Sequence, residues 1–91
     1  MKVVSYPSIR SGMEFVIRLP RWGEFRKIIM ADDLDNLEMT ERLAIAVIRT
    51  AFDDFTDEEA EQIFTDEMFS LATDVTALLE EFKDFGSSRR V

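Results

Sequence analysis

The feature that most constrains this chain is an uninterrupted run of six apolar residues, Leu43–Ile48, inside the segment TERLAIAVIRTAFDDF. Because a helix turns once in about 3.6 residues, such a run places apolar surface on nearly every side. A helix of that kind must be covered from more than one direction, by segments before it and after it. We therefore expect a central helix at about 37–55, with the rest of the chain packed around it.

The composition is that of one folded domain. The chain has 91 residues, 46% of them hydrophobic, which is enough to form a core. We expect a single domain over 1–91, with 86–91 loosely ordered and 1–12 either loosely ordered or adding one edge strand. Cys and His are absent, which removes disulfides and the commonest metal ligands. Since no apolar run reaches the length of about 18 residues that a membrane span needs, we expect a soluble, intracellular protein without membrane association.

Charge is unevenly distributed along the chain. Residues 1–30 carry six basic and two acidic side chains, whereas 31–85 carry three basic and seventeen acidic ones. The chain is thus a basic head on an acidic body. A body this acidic repels phosphate, so we do not expect binding to nucleic acid, but it can attract a basic protein surface.

The head contains one clear strand pattern. Residues alternate over Met13–Leu19, with Phe15, Ile17 and Leu19 on one face. Pro20–Gly23 then has the composition of a turn. The next segment, Glu24–Met30, is ambiguous: it fits a strand that pairs back, or a helix start or irregular segment, and we favour the latter narrowly.

The acidic body reads as helices separated by caps. Asn36 is placed to cap the central helix, and Thr56 and Glu59 have the spacing of a capping box. Thr65 is placed to cap a further helix. Gly86 is placed to end the last helix. The apolar residues of that helix follow a single stripe, formed by Met68, Leu71, Ala72, Val75, Leu78, Leu79, Phe82 and Phe85. The predicted fold is mostly α, with three to four helices around the central one and a small N-terminal β strand or hairpin (α+β).

Two acidic clusters raise the question of a metal site: Asp32, Asp33 and Asp35, and Asp53, Asp54, Asp57, Glu58 and Glu59. Neither has the glycine and the later bidentate glutamate of a calcium-binding loop. Helix capping accounts for them equally well. The Ser residues have no His to activate them, and the three glycines form no phosphate-binding loop. We therefore expect no metal, no cofactor and no catalytic residue.

The candidate functional residues are exposed aromatic and basic side chains that could contact another protein. The basic and aromatic residues around position 22 could also stack on bases, although they are few. Phenylalanines are many for a body this small, and those left outside the core would form an apolar contact patch. The candidate protein-contact residues are Arg21, Trp22, Phe25, Arg26, Phe69, Phe82 and Phe85.

The order of these elements resembles the tail assembly chaperones of long-tailed bacteriophages. The residues that carry the resemblance are Phe15–Phe25, Leu43–Phe52, Phe55–Glu59 and Val75–Phe82, and it covers roughly 13–85. It implies a non-enzymatic homo-oligomer that binds the tape measure protein and the major tail protein in the host cytoplasm and is absent from the mature virion. The chain departs from the family in its basic N-terminal head and its shorter length.

Two other functions remain open from the sequence. An acidic phage-encoded inhibitor of the anti-restriction or anti-CRISPR type mimics nucleic acid, which requires acidic side chains along an exposed face. A helical dimerisation module such as an antitoxin requires only an apolar helix face. Many acidic residues here stand at predicted helix starts, where capping already explains them.

Overall fold

The structure is a computed structural model that describes residues 2–31 and 33–88, with side chains described through Phe82. Over those residues the chain forms four α-helices and one two-stranded antiparallel sheet, which confirms the predicted mostly helical α+β class. In chain order the elements are β1 (Val3–Val4), a 3-10 turn (Arg10–Gly12), β2 (Phe15–Val16), α1 (Trp22–Ile29), α2 (Asn36–Ala51), α3 (Asp57–Glu61) and α4 (Thr65–Ser88).

Helix α2 is the centre of the fold, as its apolar run predicts. Every residue of Leu43–Ile48 is at most 9% exposed. Helix α4 covers one side of α2 with Leu71 and Val75, while α1 and β2 cover others with Ile28 and Phe15. Within the described residues the core contains no buried charged or polar side chain, so apolar burial holds these elements together.

The bounds of α2 differ from the prediction at both ends. Asp35, and not Asn36, is the N-cap, since its carboxylate accepts from the Glu38 amide at 2.8 Å. The helix ends at Ala51, four residues before the predicted end at 55. Two aspartates follow at 53–54, and their negative charge is unfavourable at a helix C-terminus and suits a turn.

The ambiguous segment 24–30 is helical over 24–29, which belongs to α1, and Met30 is the C-cap of that helix. The helix begins at Trp22, so Trp22 and Gly23 lie in its first turn rather than in the predicted turn before it. Glu24 in the first turn and Arg26 and Lys27 in the last complement the helix dipole. The predicted strand over Met13–Leu19 is shorter in the structure, where β2 covers Phe15–Val16. The side chains nevertheless alternate as predicted: Phe15 and Ile17 are buried and Val16 is exposed.

Of the two alternatives for the first twelve residues, the structure has the edge strand, as far as residues 2–12 are described. Val3 pairs with Val16 and Val4 with Phe15 in the sheet. Ile9 is completely buried. Arg10 and Ser11 adopt positive φ, at 49° and 57°, and Gly12 follows at 83°. This left-handed turn returns the chain to β2, and packing of Ile9 offsets the strain.

Helix α4 begins and ends differently from the prediction. Thr65 is its first residue and not its cap. The preceding Phe64 donates its amide to the Ser8 hydroxyl at 3.0 Å, and its carbonyl accepts from the Met68 amide. At the other end the helix continues past Gly86 to Ser88. Of the predicted loose tail at 86–91, residues 89–91 lie outside the described part of the chain.

Candidate protein-binding surfaces

The side chains that the fold leaves outside its core include many large apolar ones. Among the described side chains, those more than half exposed are Val3, Met13, Trp22, Met30, Leu37, Phe64, Phe69 and Phe82. Single exposed apolar residues are ordinary on a protein surface, but contiguous apolar patches mark sites of interaction. Six of these residues, all except Val3 and Met13, belong to helices or flank them, and five of those six, all but Phe64, fall into three patches.

The first patch is the outer face of α1, formed by Trp22, Phe25, Arg26, Ile29 and Met30. The helical period places these residues on one side and Glu24 and Ile28 on the other. The Trp22 side chain is 70% exposed, and its ring centroid lies 6.0 Å from that of the half-buried Phe25. We call this patch the α1 face.

The second patch is a groove between the N-terminal turns of α2 and α4. It has a volume of about 520 Å³, and exposed Leu37 and Phe69 stand on its two walls. Its lining residues are Asn36, Leu37, Thr40, Glu41, Ala60, Ile63, Thr65, Met68, Phe69 and Ala72. We call it the α2–α4 groove.

The third patch lies farther along α4, where Leu78 and Phe82 meet the chain that follows β2. Ile17, Arg18 and Leu19 complete a depression of about 380 Å³. Phe82 is 62% exposed. Thirteen helical residues separate Phe69 from Phe82, a distance of about 20 Å along the axis. We call this patch the Phe82 surface, and a partner seated there leaves the α2–α4 groove accessible.

The structure brings four of the candidate contact residues together and separates the others. Arg21, at the N-cap of α1, and Arg26 flank Trp22 and Phe25 on the same helix. Phe69 and Phe82 belong to the groove and to the Phe82 surface. The side chain of Phe85 lies outside the described residues. Sequence reasoning missed Leu37 and Met30, because Leu37 lies at a predicted helix start and the state of 24–30 was ambiguous.

A basic depression also lies between the start of α1 and the middle of α2. Arg18, Arg21 and Arg49 line it together with Glu24 and Asp53, and its volume is about 590 Å³. The Arg49 guanidinium already donates to the Phe55 carbonyl at 2.9 Å and to Asp57 at 2.6 Å. Two carboxylates and these internal bonds offset the positive charge, so the depression is a mixed polar surface.

Several acidic side chains are engaged by the basic head. Arg10 donates to Asp54 at 3.1 Å and to Glu59 at 3.1 Å, and its guanidinium lies over the rings of Phe52 and Phe55. Its buried Nε lies 2.8 Å from Glu59 Oε2 but is not aligned for a hydrogen bond. The hydrogen bond that Arg10 donates to Asp54 raises the pKa of Arg10 above its ordinary value. Glu59 therefore pairs with Arg10 and does not reach back as the predicted capping box requires.

A second set of bonds joins the head to α4. The backbone amide and the hydroxyl of Ser8 both donate to Glu67, at 2.9 and 2.7 Å. Tyr6 and Lys2 donate to the two carboxylate oxygens of Asp74, at 3.0 and 2.8 Å. Burial, and then the hydrogen bond to Asp74, raise the pKa of Tyr6 to about 12. These acidic groups are thus partners of the chain's own donors.

The acidic clusters do not converge on a single point. Among the described residues, no group of three or more acidic side chains is close enough together to hold a metal ion. Asp35 caps α2, Asp54 pairs with Arg10 and Asp57 pairs with Arg49. Asp32 lies outside the described residues. In the described chain no helix combines the length and apolarity of a membrane span.

Comparisons with protein-family models, with curated proteins and with solved structures find no match to this chain. The function proposed next therefore rests on the chain's own surfaces and on the pattern of its elements.

Proposed function

We propose that this chain is a non-enzymatic tail assembly chaperone of a long-tailed bacteriophage, which self-associates and binds the tape measure and major tail proteins in the host cytoplasm. The observation that carries the proposal is the set of three separate apolar surfaces on one small, acidic body. An assembly chaperone needs surfaces that hold partners and a charge that keeps the unbound protein in solution.

The distribution of aromatic side chains supports a role in protein binding. Trp22, Phe69 and Phe82 each present most of their side chain to solvent. Aromatic side chains in a packed contact are frequent anchors of protein–protein binding energy. Because each of the three belongs to a different surface, one copy has enough surfaces to contact several partners at once.

The acidic residues support the chaperone over the nucleic-acid mimic. A mimic needs free carboxylates along an exposed face, whereas Glu59, Glu67 and Asp74 are bound to donors of this chain. The pKa of Tyr6 is raised mainly by burial, and that of Arg10 mainly by the hydrogen bond that it donates to Asp54. Both shifts therefore have structural causes.

We assign the Phe82 surface to the tape measure protein. Its apolar part is formed by Ile17, Leu19, Leu78 and Phe82, and Arg18 adds one positive charge at its edge. An amphipathic helix with apolar and acidic side chains, laid across this depression, would bury Phe82 and pair with Arg18. This leaves the α1 face and the α2–α4 groove for other contacts.

Co-expression tests the proposal. The chain is produced with a tag beside the tape measure and major tail proteins encoded in the same genome, and the complexes are purified through the tag. We expect both proteins to copurify with the wild-type chain. We expect Phe82→Ser to weaken tape measure binding by about tenfold or more, as loss of an aromatic anchor does.

Phe64→Ser is the matched control, because Phe64 is 63% exposed and lies outside the Phe82 surface. It should retain tape measure binding. A wild-type chain that captures neither tail protein would contradict the chaperone function. Equal loss in the two variants would contradict the assignment of the Phe82 surface alone.

A further inference from the structure

We infer that the α1 face of one copy docks in the α2–α4 groove of a second copy. This inference rests on the proposed self-association and specifies which surfaces form the contact. One surface is convex and the other concave, both contain large apolar side chains, and their surroundings carry opposite charge. Each is exposed in the single chain.

The apolar parts of the two surfaces suit each other. The α1 face is convex, and Trp22 and Ile29 stand about 10 Å apart along its axis. The groove is concave, with Leu37 and Phe69 on its walls and the buried Ile63 among its lining residues. A short amphipathic helix in an apolar groove is a common mode of protein recognition, and its anchors recur at the spacing seen here.

Charge favours the same pairing. Residues 21–30 contain three basic side chains and one acidic one, and that one, Glu24, lies on the side of α1 that faces α2. The segments that form the groove, 33–41 and 57–72, contain ten acidic side chains and no basic one. Arg10 and Arg49 neutralise Glu59 and Asp57, which leaves the groove region strongly negative. The contact therefore joins a basic helix to an apolar groove whose charged lining residue is Glu41 and whose surrounding segments are acidic, which favours encounter and fixes orientation.

The contact is heterologous. The α1 face and the α2–α4 groove share no residue, so each copy can donate its α1 face to one neighbour and accept the α1 face of another. A contact of this kind builds a ring if its rotation closes and an open chain if it does not. The assembly thus grows beyond a dimer as concentration rises.

A charge-swap experiment tests the interface. Arg26→Glu alters the α1 face and Glu41→Arg alters the groove. Both positions are exposed, and neither takes part in an ion pair among the described residues. Sedimentation over protein concentrations up to about 1 mM, the range of weak contacts, measures the association. We expect the wild type to associate. We expect the affinity of each variant alone to be lower by about tenfold or more.

The equimolar mixture of the two variants is the decisive sample. The new carboxylate on one α1 face meets the new guanidinium in the other groove, while the two unaltered surfaces meet each other. We expect the mixture to regain association that neither variant has alone. A mixture no stronger than its components, or a wild type that stays monomeric up to about 1 mM, would overturn the interface.

A second pair of variants separates this inference from the proposed function. Phe69→Ser should weaken self-association and retain tape measure binding, whereas Phe82→Ser should do the reverse. Circular dichroism and unfolding midpoints establish that each variant is folded, and Trp22→Ser replaces Phe69→Ser if that variant is not, because Trp22 is 70% exposed and belongs to the α1 face. Self-association without tail-protein binding would leave the interface intact and contradict the chaperone function. If the chain binds the tail proteins but no substitution weakens its self-association, the chaperone function stands and the proposed interface is contradicted.

Discussion

Thr56 secures the first turn of α3 through its side-chain hydroxyl, which accepts from the Glu59 amide at 3.1 Å. We expect Thr56→Ala to lower the free energy of unfolding by about 1 kcal/mol, because the substitution removes the acceptor for an orphan amide of the helix start. Thr56→Ser keeps the hydroxyl and should retain most of the stability. Urea unfolding of the three proteins measures the difference, and equal midpoints for wild type and Thr56→Ala would refute the cap.

Tyr6 makes the stability of the folded chain depend on pH in the alkaline range. Its pKa of about 12 in the folded chain exceeds the ordinary value of 10.0, mainly through burial. The folded state therefore holds the phenol proton more tightly, so the stabilisation is complete below about pH 10 and is lost as pH rises toward 12. We expect the unfolding midpoint of wild type to fall over that window more than that of Tyr6→Phe.

Tyr6 is the one tyrosine of the sequence, so tyrosinate absorbance reports its titration directly. The folded chain should show a midpoint well above that of the chain in denaturant. Coincident titration curves would show that burial and Asp74 do not hold the proton.

Local spacing explains which residue roles could be predicted. Thr56 and Glu59 are three positions apart, so the cap follows from the sequence alone. The cap of α4 could not be predicted, since Ser8 lies 56 positions before Phe64. Glu59 shows the same limit. The capping-box spacing assigns its carboxylate to the start of α3, whereas in the structure it pairs with the distant Arg10. Sequence patterns identify local hydrogen bonds and leave out those that the tertiary fold creates.

At the scale of elements, α2 depends on an apolar surface without polar interruption. Val47 is completely buried at its centre, so Val47→Asp would place an unpaired charge in the core. We expect this variant to be unfolded or to lack a cooperative unfolding transition. Ala51→Asp is the control, because Ala51 belongs to the same helix and is exposed. It should cost less than about 1 kcal/mol, and a cooperative Val47→Asp transition like that of wild type would contradict the central position of α2.

Elements differ in how far the sequence specifies them. The run Leu43–Ile48 predicts α2 because only a surrounded helix accommodates it. Glu24–Met30 is short and fits either periodicity, and the packing of Ile28 against the core selects the helix. The bounds of α2 and α4 were less predictable, because single side chains set them. These side chains are Asp35, Ser8 and the two aspartates at 53–54.

At the scale of the whole molecule, we expect the acidic body to bind no divalent metal ion specifically. Calcium, magnesium or zinc at sub-millimolar concentration should leave the thermal midpoint unchanged, because a ligand that binds the native state alone would raise it. Differential scanning calorimetry with and without each ion measures this. A rise of several degrees that a chelator reverses would identify a site among the acidic residues.

The sequence could predict which residue types would form the candidate surfaces, but not how those residues are arranged in space. The excess of phenylalanines indicates that some remain outside a core of this size. Phe55 is buried while Phe64 and Phe69 are exposed, and the tertiary fold distinguishes them where the residue type does not. The α2–α4 groove joins residues from three helices, so no single stretch of sequence contains its pattern.

The bonds of the basic head also fix when the domain can fold during translation. Lys2, Tyr6 and Ser8 bind partners 72, 68 and 59 positions later in the chain. A ribosome adds roughly 5–20 residues per second, so the head waits for seconds before α4 emerges to receive it. Until then Lys2, Tyr6 and Ser8 lack their partners on α4, and the completed domain forms late and as one unit. A ribosome that stalls before residue 65 therefore holds a chain in which β1 can pair with β2 but the head has no α4 to bind.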